Sequence, residues 1–275
     1  MKNPISVSNI AWNREENKDV YEYFNASGVS GIEVAFTKIA PWAELNKSLI
    51  DHERSELDSA GLVVSSYQAL YYGKPQVQLL HERKSFDEML SHTIAVAKLA
   101  ERLSNGGVAV FGAPLNRKRG DLSLADAEDL GSERLFELAD AVADYGLVLA
   151  LEPAPPSYQG DFLIDTESCA RVVRRINHSN LRLHLDSGCI ALAEDNVAPI
   201  ASYAGGLIAH AHLSRPGLAP LVAPPDQADL MFIQTIRELS YSGWIALEMR
   251  PLNTISAIKD AVTFARRLIN SSDSI

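Results

Sequence analysis

Residues 147–188 read LVLALEPAPPSYQGDFLIDTESCARVVRRINHSNLRLHLDSG, one structural unit framed by two copies of the same signal. LVLAL (147–151) is a short apolar run of the kind that forms a buried strand, and it ends in Glu152. Asp165-Thr166 opens a segment of helical periodicity that runs to Ile176, with the aspartate placed to cap it. LRLHL (181–185) is a second strand and ends in Asp186. Strand, loop, helix and strand again, with a carboxylate closing each strand, is the repeating unit of a strand–helix barrel.

The same rhythm continues outward. Toward the N-terminus, strands are expected at 5–10, 31–35, 62–66 and 108–111, with helical segments at 16–26, 47–60, 86–103 and 124–145. Toward the C-terminus come a short helical stretch near 197–203, a strand at 207–213, a helix at 227–239, a strand at 245–248 and a closing helix at 255–269. Ala60-Gly61, Asn105-Gly106-Gly107 and Gly146 punctuate the helix ends. Eight units in 275 residues, about 34 apiece, fit a closed (β/α)8 TIM barrel of the α/β class better than an open sheet. No low-complexity linker divides the chain, so residues 1–275 are expected to form a single domain. Proline-rich pieces at 153–156 and 216–225 follow strands five and seven, where the loops of a barrel mouth bind substrates.

Composition narrows the function. With 25 Lys and Arg against 35 Asp and Glu, the net charge of −10 repels a phosphate backbone, which argues against nucleic-acid binding. No run approaches the roughly 20 apolar residues of a membrane span. The start of the chain, Met1, Lys2, Asn3, Pro4 and Ile5, has no long apolar leader. Two cysteines, Cys169 and Cys189, fit a reducing, cytoplasmic setting.

In a barrel, polar side chains at the C-terminal strand ends converge on one mouth. Glu152, Asp186, His212 (in AHAHLS) and Glu248 (in WIALEM) occupy that place on four successive strands, spaced by about one unit each. A single carboxylate at a strand end is commonly a cap or an ion-pair partner. Three carboxylates and an imidazole at one level need a cation to offset their burial. Oxygen-rich ligation with one nitrogen favours one divalent metal ion, Mn²⁺ or Mg²⁺, with Zn²⁺, Fe²⁺ or Co²⁺ also accommodated.

These residues, together with LALEPAPPSYQGDF, LHLDSG, HAHLSRPGL and ALEM, resemble the xylose-isomerase-like TIM-barrel superfamily of sugar phosphate isomerases and epimerases across essentially the whole chain. The resemblance implies that Glu152, Asp186, His212 and Glu248 are the metal ligands. It also implies that Glu152 and Glu248 are catalytic, one removing a proton beside a carbonyl and the other returning one to the opposite face. The cation would stabilise the enediolate between these steps. The substrate implied is a sugar, a sugar phosphate or a related polyol, and pairing into a homodimer is compatible with the fold. A lyase of the dehydroshikimate or keto-inositol type would share the proton abstraction and end in elimination. A non-catalytic sugar-binding module would be expected to lose its ligands, and all four stand. The DNA-repair branch needs a histidine-rich cluster and a basic face, against seven histidines and a charge of −10.

The sequence departs from the epimerase pattern around the substrate. Cys189 stands where a histidine usually follows the strand-six aspartate, Pro-Pro-Ser-Tyr-Gln replaces a second glutamate, and Leu218 occupies the place of an arginine, with Arg215 nearby. Further substrate contacts are expected from Glu33 at the end of strand two, from Tyr67 and Gln68 (with Tyr71, Tyr72 and Trp12) as mouth residues, and from Arg117 in the basic run Arg117-Lys118-Arg119. His184 and His210 precede Asp186 and His212 by two. Period-two alternation therefore puts them on the same strand faces, one layer deeper, as hydrogen-bonded support for the ligands or as core histidines.

Overall fold

A computed structural model describes residues 3–194, 197–252 and 254–271; Met1 and Lys2, where the absence of a leader is read, lie outside them. Eight parallel strands close into a barrel: β1 (Ile5–Ser8), β2 (Gly31–Ala35), β3 (Val63–Gln68), β4 (Gly107–Phe111), β5 (Leu147–Leu151), β6 (Leu181–Asp186), β7 (Ile208–Leu213) and β8 (Ile245–Leu247). Each pairs with the next, and β8 returns to β1. Among the described residues, the helices are α1 (Asn17–Ser27), α2 (Lys47–Ser59), α3 (Arg83–Ser104), α4 (Leu124–Ala143), α5 (Thr166–Ile176), α6 (Ser187–Leu192), α7 (Val197–Ala204), α8 (Gln227–Glu238) and α9 (Ile255–Asn270). This is the single-domain (β/α)8 barrel that the rhythm of the sequence predicts.

Local signals set the element ends. The Asp165 carboxylate accepts a hydrogen bond from Ser168 N at 2.7 Å, and Ser123, Asp226 and Thr254 cap α4, α8 and α9 in the same way. At the foot of the barrel, Gly106 has a φ of +94°, and a Cβ there would fall 2.3 Å from Gly146 O, so the two helix-ending turns pack backbone to backbone. β1 is shorter than expected because residues 9–11 turn off into a 3-10 turn, and β3 runs two residues longer.

Alternation divides the strands. On β6, Leu181, Leu183 and Leu185 are fully buried, facing the helix layer, while His184 and Asp186 face the barrel axis. The interior is therefore unusually polar for a barrel, with Ser8, Glu33, Ser66, Gln68, His184 and His210 buried along it. Burial of so many polar groups is tolerable only when they bond to one another. Outside the strands lies an apolar layer that includes Phe24, Phe36, Phe86, Phe111 and Phe162. No helix among the described residues is long and apolar enough to cross a membrane.

Candidate active site

The register brings the four predicted strand-end residues to the barrel rim without setting them in one row: the pairing of Leu151 with Leu183 and of Leu213 with Leu247 runs Glu152 beside His184 and Glu248 beside Ser214. Asp186 on β6 pairs directly with His212 on β7, and His184 with His210 one layer below. Glu152 and Glu248 sit one residue beyond their strands. Their backbone amides still donate to the neighbouring strand, Glu152 N to Phe111 O at 3.2 Å and Glu248 N to Leu213 O at 3.1 Å, which fixes where each side chain leaves the barrel rim.

The four converge. His212 Nδ1 lies 3.7 Å from Asp186 Oδ2 and 3.3 Å from Glu248 Oε2, the latter without the alignment of a hydrogen bond. Asp186 is held at both oxygens: Cys189 N donates to Oδ1 and Ser214 Oγ to Oδ2, each at 2.6 Å. The first of these contacts makes Asp186 the cap of α6, a helix that the sequence reading omits. Gly112, at the end of β4, leaves the space into which Glu152 points; a Cβ there would fall 2.0 Å from Glu152 Oε2.

Beneath this ring, Glu33 organises the interior. It is fully buried, and its Oε1 accepts from His212 Nε2 at 2.8 Å and from Ser66 Oγ at 2.8 Å, while Gln68 Nε2 donates to Oε2 at 2.7 Å. His210 Nε2 lies 3.2 Å from the same Oε1 and 2.9 Å from Ser66 Oγ.

Electrostatics follow from this crowding. Burial pushes the Glu152 carboxyl well above its ordinary range, and the Asp186 and Glu248 carboxylates push it further. Glu248 is also raised, chiefly by burial, against the pull of His212. At Glu33 burial acts upward, but the His212 and His210 rings outweigh it and hold the carboxyl well below the usual range. At His212 burial favours the neutral ring, yet Glu33 and Glu248 raise it well above 6.5. Burial, with His212 and His210 adding to it, keeps His184 neutral.

A cavity of about 490 Å³ opens above Glu152, His212 and Glu248 and extends between the loops after β3 and β4. Gln68, Tyr71, Tyr72 and Leu115 are among its walls. Of the substrate contacts expected beyond the ring of four, Gln68, Tyr71 and Tyr72 line it.

Tyr67, Trp12, Arg117, Arg215 and Cys189 do not line the cavity, which corrects their expected place, whereas His184 and His210 lie one layer deeper, as strand alternation predicts. Tyr67 belongs to β3 and points outward: it stacks on Phe36 at 5.1 Å, and its hydroxyl donates to Ala100 O at 3.1 Å near the end of α3. Arg117 is fully buried. Its loop turns inward, and Nη2 donates to the backbone carbonyl of Glu152, so it is no surface anion site. Its neighbour Arg119 bonds Asp161 instead. Arg215 is tied away from the cavity by Asp229, Asp226 and the carbonyl of Val222, and stacks over Phe264. Cys189 lies buried behind Asp186, with burial and the nearby carboxylates keeping its thiol protonated. Glu33, His184 and His210 lie below the cavity floor. Trp12 is buried and donates to Asn17 Oδ1.

The donor chemistry fits a divalent cation. His212 Nδ1 is buried without a hydrogen-bond partner and faces carboxylates, and three acidic groups crowd one volume, where the His212 ring and the buried Arg117 guanidinium offset the charge of Glu152 without overcoming the effect of burial. Donor atoms of Glu152, His184, Asp186 and His212 all lie within 4.8 Å of one another.

Known proteins share this architecture. The sequence pattern of a family described as the xylose isomerase-like TIM barrel matches residues 22–268. Curated proteins give no match. Among solved structures, D-psicose 3-epimerase in the presence of D-fructose superposes with a TM-score of 0.79 at 16% identity, covering 98% of this chain and 100% of that one. A 3-keto-D-glucoside 4-epimerase from E. coli gives a TM-score of 0.74 at 18% identity over 96% and 99% of the two chains. The IOLI protein with a binding zinc atom gives 0.77 at 18% identity, covering both chains completely. Identities of this size report a common fold.

Proposed function

The chain belongs to the xylose isomerase-like TIM barrel family, and from that premise we propose that it is a divalent-metal-dependent isomerase or epimerase of a sugar, sugar phosphate or related polyol. The single observation that carries this reading is the convergence of Glu152, Asp186, His212 and Glu248 around the unpartnered Nδ1 of His212 at the floor of one cavity. Similar folds in D-psicose 3-epimerase and 3-keto-D-glucoside 4-epimerase support a carbohydrate substrate.

Glu152, Asp186, His212 and Glu248 would hold the cation; three carboxylates and one imidazole suit Mn²⁺ or Mg²⁺, and Zn²⁺, Fe²⁺ or Co²⁺ also fit. When bound, the cation supplies positive charge beside the oxygen on which negative charge develops. Glu152 and Glu248 follow strands three apart around the barrel, and both line the cavity. In the cation-free protein both carboxyls are raised, chiefly by burial. One abstracts the proton next to the carbonyl and the other delivers a proton to the opposite face. Tyr71, Tyr72 and Leu115 give the cavity largely apolar walls. Cys169 and Cys189 are both buried, and a reducing, cytoplasmic setting is part of this reading.

The test is incubation of the Mn²⁺-loaded protein with a panel of ketoses, their phosphates and keto-polyols, followed by mass spectrometry of the products. A product of unchanged mass is expected. Loss of water would assign the protein to the lyases, and no turnover of any member with any divalent ion would overturn the enzymatic reading.

A further inference from the structure

His184 lies on β6 two residues before Asp186, and its side chain is completely buried. Neither ring nitrogen makes a well-formed hydrogen bond, although the His210 backbone lies close by. A buried imidazole left in that state costs on the order of 1–3 kcal/mol, so its retention calls for a partner. The ring is aimed at the ring of four. Its Nε2 is 3.7 Å from Glu152 Oε1, and its centroid lies 4.2 Å from that of His212, edge to face. A nitrogen of His184 falls within 4.8 Å of donor atoms from Glu152, Asp186 and His212, a few tenths of an ångström beyond the roughly 4.4 Å that opposite donors span around one ion with bonds of about 2.2 Å, so a small inward shift of the side chains closes the site.

We propose that His184 is a nitrogen donor to the cation, so that the site offers two imidazoles with its carboxylates and prefers Zn²⁺, Co²⁺ or Fe²⁺ to Mg²⁺ and Mn²⁺. Imidazole suits the later, more polarising divalent ions, whereas Mg²⁺ and Mn²⁺ favour all-oxygen surroundings. The sequence pattern contains only one strand-end imidazole, His212. The second donor comes from a residue one pleat deeper on the strand that carries Asp186, whose own oxygens accept from Cys189 N and Ser214 Oγ at the cap of α6. The inference rests on the metal-dependent reading above and adds to it the identity of a ligand and a metal preference.

The experiment uses chelator-stripped protein reloaded with Zn²⁺ alone, with X-ray absorption at the zinc edge to count imidazole ligands and competition titrations for Zn²⁺ and Mn²⁺ affinity. The wild-type protein is expected to show two imidazoles and to bind Zn²⁺ more tightly than Mn²⁺. In His184→Leu one imidazole should disappear, with Zn²⁺ affinity reduced about 10–100-fold and Mn²⁺ affinity changed far less. Should the variant fail to fold, the wild-type ligand count decides alone. Zinc bound through one imidazole, or undiminished zinc affinity in a folded variant, overturns the role of His184 and leaves the metal-dependent reading standing. Failure of every divalent ion to bind the wild-type protein overturns both.

Discussion

His212 Nε2 lies 2.8 Å from Glu33 Oε1, and this contact decides which way the imidazole faces. Glu33 is held in its charged form and can only accept, so Nε2 carries the proton and Nδ1 is turned toward Asp186 and Glu248. A carboxylate behind a ligating histidine both fixes its tautomer and strengthens it as a donor. Glu33→Gln is therefore expected to weaken divalent-cation binding by about 10–100-fold, read by calorimetric titration of chelator-treated protein. Unchanged affinity would mean that Glu33 serves only the packing of the barrel interior.

Gly112 defines the space that Glu152 fills. A Cβ at this position meets Glu152 Oε2 at 2.0 Å, and the carboxylate, the more movable partner, must swing away. Gly112→Ala should lower kcat/KM by about 100-fold, the effect expected of a misplaced catalytic group, while circular dichroism shows an intact barrel. Wild-type activity in this variant would show that Glu152 works from another position.

In the cation-free protein, the site responds to pH. Burial, Asp186 and Glu248 raise Glu152 well above 4.5; at His212, Glu33 and Glu248 overcome burial and raise the ring well above 6.5. Each group then contributes stability that is fully present below its unfolded value and is lost as pH rises through its folded value. Glu33, held low by His212 and His210 against the effect of burial, works in the other sense: its contribution is present above 4.5 and is lost as pH falls through its folded value. His184, His210 and His92, held neutral by burial, act against Glu152 and His212 around pH 6.5, so it is above about pH 7 that the Tm of stripped protein should decline as pH rises, and saturating Mn²⁺ should flatten that decline by replacing the protons. Scanning calorimetry at several pH values checks this, and a slope that Mn²⁺ leaves untouched contradicts it.

Tyr67 separates packing from substrate contact. Its hydroxyl serves Ala100 O and Ser104 Oγ outside the barrel. Tyr67→Phe is expected to cost about 1 kcal/mol of stability in denaturant titrations and to leave KM and kcat within about twofold of wild type. A raised KM with unchanged stability would return the residue to the mouth.

The four residues stand out in the sequence because each lies at or next to the end of an apolar strand, while their offsets from strand to strand come only from the register. Tyr67 is misplaced for a related reason. A strand read as ending at 66 leaves it in the mouth loop, whereas β3 continues to Gln68 and alternation turns Tyr67 outward and Gln68 inward. Arg117 reads as a loop cation because nothing in a local run of basic residues reveals a loop that folds back beneath β5. Gly112 and Ser214 contribute, respectively, empty space and a hydrogen bond between adjacent strands, and neither leaves a periodic trace. Glu33 stands out in GIEVA as a carboxylate in an apolar strand, but its partner is 179 residues away and only barrel closure identifies it.

The most direct test of proton abstraction by Glu152 and Glu248 is solvent-deuterium incorporation into the panel of ketoses and keto-polyols, measured by NMR at saturating divalent cation. Wild-type protein should introduce deuterium at the carbon beside the carbonyl of its substrate. Glu152→Gln and Glu248→Gln should each slow this exchange by at least about 100-fold while the barrel remains folded. Exchange at the wild-type rate in either variant, or none in the wild-type protein with any member of the panel, would contradict the account.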